Sequence, residues 1–131
     1  MGLLNFVKEA GEKIWDAVSG EDGGSLVTGV TICRGELFEE HADAIQTFME
    51  EQKASAAFAN ENVAETAKLV AAAGIIEKAP VAEKAIPYCS ITYIDGTDMK
   101  NRLYGYLSAL YEMDPATVGG ELPTKDFFYI P

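Results

Sequence analysis

A chain of 131 residues with 10 Lys plus Arg against 21 Asp plus Glu carries a net charge of −11, too short for two large hydrophobic cores and too acidic to grip a phosphate backbone. An apolar fraction of 48% with 24% charged residues is that of a folded globular chain and excludes wholesale disorder. No apolar run approaches the roughly 20 residues of a membrane-spanning helix, so the chain reads as soluble.

The opening, MGLLNFVKEAGEKIWDAVSG, sets Leu3, Phe6, Val7, Ala10, Ile14, Trp15 and Val18 on one helical stripe and Lys8, Glu9, Glu12, Lys13 and Asp16 on the other face. This is an amphipathic helix of about four turns. It lacks the basic start, unbroken apolar run and small-residue cleavage site of a secretory signal. Its polar face carries both signs of charge, which favours packing on a core over lying on an anionic membrane. Residues 21–25 continue a Gly- and Ser-rich stretch that begins at Ser19 and reads as a flexible joint.

After the joint, Leu26 to Cys33 is rich in β-branched residues, apolar on both faces, and predicts a strand inside a covered sheet. From Glu36 to about Asn60 the apolar residues Leu37, Phe38, Ala44, Ile45, Phe48, Ala56 and Phe58 recur at helical spacing, with acids crowding the first turns. Asn62 followed by Glu65 is a variant capping box opening a helix that Gly74 closes. Ala79-Pro80 starts a further short helix and Pro87 stops it. Ser90 to Ile94 is a second short strand. Thr97 then caps a helix with Met99, Leu103, Tyr106, Leu107 and Leu110 on its stripe, ended by Asp114-Pro115. The aromatic tail around Phe127, Phe128, Tyr129 and Ile130 should dock on something. In all, four or five helices and two strands are expected, a pattern that looks like part of an α/β fold.

Chemistry is sparse. Cys33 and Cys89 have no CxxC partner, so neither a zinc ribbon nor a thioredoxin-type site can be written; they read as small buried apolar side chains, with a disulfide left open. The single histidine, His41, excludes a multi-histidine metal site and reads as a surface or interhelical residue. Glu39-Glu40, Glu50-Glu51 and Asp95/Asp98 read as solvated helix faces, and Asp95-Gly96-Thr97-Asp98 lacks the later ligands of a calcium loop. No catalytic residue, metal ligand or cofactor is expected. Arg34, directly after the first strand, is the one candidate ligand-binding residue: a cation at a strand end, where α/β clefts lie, suits a carboxylate, phosphate or sulfonate.

From Gly29 to Ile130 several stretches stand in a shared order: Arg34-Gly35-Glu36, Glu40-His41, Phe58-Ala59-Asn60, Ile86-Pro87-Tyr88-Cys89, Val118-Gly119-Gly120, and Phe127-Phe128-Tyr129. In that order they resemble the C-terminal part of the solute-binding proteins of ABC importers, in the branch holding nitrate, sulfonate, taurine and thiamine-precursor binders. The resemblance implies an α/β, mostly helical chain over 26–131: a partial periplasmic-binding-protein type II lobe with one or two strands packed by four or five helices. It implies a small organic or anionic solute and an ABC permease as partners and an extracytoplasmic location, and no nucleic acid. Thiamine-precursor synthases share that fold, but their Cys-rich motif is absent, so no enzyme is expected. Residues 1–20 resemble the first helix of small bacterial potassium-binding proteins built from a BON and a LysM domain, which suggests a fusion or recombined reading frame. The other reading is a non-transport helical interaction or structural module that binds no solute, with a second copy or a missing lobe as its partner.

Overall fold

The computed structural model describes Glu12 and residues 26–131; the expected helix over 1–20 and joint over 21–25 lie outside the described residues, Glu12 apart. Five α-helices follow in order: α1 Gly35–Glu40, α2 Ala42–Glu61, α3 Val63–Ala72, α4 Ala79–Ala85 and α5 Gly96–Met113, with 3₁₀ turns at Ile86–Tyr88, Pro115–Val118 and Lys125–Phe127. Among the described residues there is no strand. The expected α/β lobe is therefore corrected to an all-helical architecture. Where length alone suggests one core, the chain divides into two compact units, Ile32–Tyr93 and a second in which the described residues are 26–31 with Ile94–Pro131.

The two expected strands fail for one reason. β-Propensity measures how well a side chain fits a pleated, half-buried surface, and a strand without neighbours has no ladder to satisfy its backbone. Residues 26–33 are irregular, and Leu26, Val30 and Ile32 are exposed. Ser90–Ile94 is likewise irregular, entered through Ser90 with its φ of 51°.

The helix expected over Glu36 to Asn60 is broken at His41, whose φ of −136° and ψ of 40° leave the helical region. Glu36, Glu39, Glu40 and Asp43 would face one another at spacings of three and four along a continuous helix, and like charges so placed oppose it. The break gives Asp43 a helix N-terminus of its own, whose partial positive charge favours an acid.

In the unit Ile32–Tyr93, α3 packs on α4 through small residues. Ala67 and Ala82 are fully buried and Ile86, just beyond α4, is nearly so; Val63, Val70, Ile76 and Ile91 lie partly buried around them. The stripe Val63, Thr66, Ala67, Val70, Ala71 is the inward face of α3, at the spacing an amphipathic helix requires. The Thr66 hydroxyl on that stripe is buried without a hydrogen-bond partner. α3 ends as the sequence suggests: the Gly74 N–H donates to the Ala71 carbonyl at 3.0 Å and the Ile75 N–H to Val70 at 3.1 Å, the paired bonds of a Schellman motif. Its start differs from the expected capping box, because the Asn62 side chain makes no capping bond and Glu65 pairs with Lys68 at 3.1 Å.

Gly74 has a φ of +73° and open space where a Cβ would sit, so replacement by Ala meets backbone strain alone. Left-handed strain of about 1–2 kcal/mol, less the roughly 0.4–1 kcal/mol that Ala gains by restricting the unfolded chain, leaves a net loss of about 1 kcal/mol in urea unfolding. Gly35→Ala, with a helical backbone and equally open space, should instead be neutral or mildly stabilising.

In the other unit, α5 runs from Asp95 to Asp114 as its caps. Neither the Asp95 side chain nor Thr97 caps it, so the expected Thr97 cap does not form. Asp98 holds Arg102 through both carboxylate oxygens at 3.0 Å, an acid-first pair one turn apart. At the far end Asp114 Oδ1 accepts from the Ala116 N–H at 3.0 Å, and the Thr117 hydroxyl donates to the Leu110 and Asp114 carbonyls. These bonds fold Pro115–Val118 back onto α5. Of the aromatic tail, only Phe128 is buried, edge-on to Tyr104 with centroids 6.3 Å apart, while Phe127, Tyr129 and Ile130 stay exposed.

Candidate functional site

Each sequence-predicted residue has a definite place. Arg34 precedes α1, with φ −71° and ψ 138°, and is exposed. Its carbonyl accepts from the Phe38 N–H at 3.1 Å and from the Cys33 thiol at 3.3 Å. As an anion contact Arg34 requires a strand end bordering a cleft, and no strand forms there. It stands instead as the residue before a six-residue helix.

His41 forms the corner between α1 and α2, its Nε2 4.0 Å from Glu40 Oε2, with both side chains exposed. Cys33 and Cys89 are free thiols and both are exposed, which corrects the reading of them as buried apolar side chains. Both sit on segments that lack the expected sheet: Cys89 donates to the Ala85 carbonyl at 3.4 Å, and Cys33 stands at the end of the irregular stretch. No three His, Cys, Asp or Glu side chains gather into a metal-ligand set among the described residues. Nor is any helix among them long and apolar enough to cross a membrane.

Sequence reasoning missed Asn60. Its side-chain amide donates at 2.9 Å both to the Ala56 carbonyl on its own helix and to the Ile91 carbonyl, far along the chain. It thereby pins the irregular segment Ser90–Tyr93 along α2. A shallow cleft of about 340 Å³ results, lined by Gln52, Ser55, Ala59, Ile91 and Tyr93. An Asn near a helix end looks like a cap in sequence, and nothing local marks a bond to a residue so distant.

The larger feature of this unit is what its helices leave outside. The face of α2 that carries Ile45, Met49, Ala56 and Ala59 is the more buried one, yet Phe48 at its edge and Phe58 away from it are exposed. Leu69 on α3, Ile75 after it, Val81 on α4 and Tyr88 are exposed as well, Tyr88 at 87% and Ile75 at 73%.

No family model matches the chain, and no solved structure matches it. Among curated proteins, the potassium binding protein Kbp of Escherichia coli O6:H1 is 76% identical over 21 residues, which is 16% of this chain and 14% of that protein. The chain thus spans about one seventh of the curated relative it matches. The resemblance to ABC-importer solute-binding proteins is overturned, because no family model supports it and the strands of such a lobe are absent from the described residues. The solute, the permease and the extracytoplasmic location rested on that resemblance alone.

Proposed function

We propose that this chain is a helical interaction module, completed by another protein surface, and neither a transport receptor nor an enzyme. One observation carries this reading. In Ile32–Tyr93 the buried side chains are Ala59, Ala67, Ala82 and Ile86, while Phe48, Phe58, Leu69, Ile75, Val81 and Tyr88 are exposed. Apart from Ile86, the unit buries only alanines, while six of its larger apolar side chains are exposed. Covering a Leu, Val, Ile or Phe side chain stabilises by about 1.5–3 kcal/mol, so a partner that covers three or four of these offers substantial binding energy. The potassium binding named for the curated relative belongs to a protein of which 14% is matched, and it is not carried over to this chain.

A second copy is the first partner to test. The net charge of −11 opposes self-association at long range, and salt screens that repulsion while leaving apolar contact intact. Sedimentation equilibrium at roughly 100 μM, which detects association stronger than about 5.5 kcal/mol, should show an oligomer that strengthens with salt. Leu69→Glu combined with Val81→Glu should return it to monomer. A chain that stays monomeric in high salt and binds no hydrophobic dye would overturn the interaction reading altogether.

A further inference from the structure

We propose that the cleft between α5 and residues 123–128 binds a carboxylate carried beside an aromatic ring. The cleft has a volume of about 650 Å³ and is open to solvent, within the roughly 300–1,000 Å³ of small-ligand clefts. α5 contributes Lys100, Asn101 and Tyr104, and the tail contributes Thr124, Lys125 and Phe128. It lies wholly in the unit that contains Ile94–Pro131, and none of its lining residues belongs to Ile32–Tyr93.

The charge of the lining inverts that of the chain. Acids outnumber bases 21 to 10 overall, yet two ammonium groups and no carboxylate line this cleft. Among the described residues neither lysine forms an ion pair, in contrast to Lys68 with Glu65 and Arg102 with Asp98. Among the described residues the Asn101 amide and Thr124 hydroxyl make no hydrogen bond. Two point charges with a nearby amide and hydroxyl suit a single carboxylate. A dianion such as phosphate meets twice the long-range repulsion from the −11 chain. The second half of the ligand is set by Tyr104. Phe128 is buried and braces the Tyr104 ring edge-on, and Tyr104 is itself 42% exposed. A fixed, half-exposed ring is a surface on which another ring stacks.

Such a group occurs in a free aryl carboxylate and in a protein segment with an acid next to an aromatic residue. The test is a proton–nitrogen correlation titration of the full chain with 3-phenylpropionate, its neutral amide, acetyl-aspartyl-phenylalanine amide, and inorganic phosphate. The expected result is saturable shifts at Lys100, Tyr104, Thr124 and Lys125 with the carboxylates only, weakened by rising salt. Lys100→Gln with Lys125→Gln should weaken binding about tenfold or more, with the circular dichroism unchanged. Tighter binding of the dipeptide identifies a protein ligand, and tighter binding of the free acid identifies a small molecule. Equal binding of the neutral amide or of phosphate, an unaltered affinity in the double variant, or no saturable shift with either carboxylate would overturn the assignment.

Discussion

Ile86→Ala should destabilise the unit Ile32–Tyr93 by about 2–5 kcal/mol, the cost of truncating a buried Ile and leaving a cavity. Ile86 is 6% exposed, and the other buried residues of this unit among those described are alanines. Its loss removes the largest buried side chain of the cluster it forms with Ala67 and Ala82. Domains of this size hold roughly 5–15 kcal/mol in total, so urea unfolding should show a large drop in midpoint. Amide exchange should quicken across both α3 and α4. Ile75→Ala is the contrast: at 73% exposure it should change monomer stability by no more than about 0.5 kcal/mol. If the exposed surface is an interface, Ile75→Ala should acquire an effect only at concentrations where the chain associates. Equal losses for the two variants in dilute solution would contradict the burial pattern on which the interaction reading stands.

Helical residues announced themselves in the sequence because helix formation is local. The stripe from Met99 to Leu110, the Gly74 stop and the Pro80 start each carry their signal within a turn or two. The supposed strands carried only half of theirs. Val27, Thr28, Val30, Thr31 and Ile32 have the right side chains, but a strand is made by its neighbours, and the chain supplies none among the described residues. The candidacy of Arg34 and the expected burial of Cys33 both depend on that strand, so both fall with it. The break at His41 has its local signal in the like charges at Glu36, Glu39, Glu40 and Asp43, which oppose a continuous helix as well as complement a helix N-terminus. Two features had no local signal. The bond from Asn60 to Ile91 and the cleft lined by both Lys100 and Lys125 bring together residues far apart in the chain. Tertiary placement created them.

The tail shows the same division between local and distant information, and its anchor is the second large effect. Phe128→Ala should cost about 3–5 kcal/mol, as truncation of a buried Phe does. Phe128 is 7% exposed and makes edge contacts with Tyr104 at 6.3 Å and with Phe127 at 5.3 Å. Phe127→Ala should cost far less: that ring is 62% exposed, so little beyond the aromatic pair is lost, about 0.5–1.5 kcal/mol. The sequence treated these neighbours alike, as apolar residues needing cover, whereas the 3₁₀ turn Lys125–Phe127 turns one ring in and leaves the other out. In Phe128→Ala, Tyr104 loses its brace and the tail its only buried side chain among the described residues. Amide exchange over residues 119–131 should therefore quicken at least as much as over α5. Exchange that quickens in α5 while the tail remains protected would show that contacts other than Phe128 hold the tail.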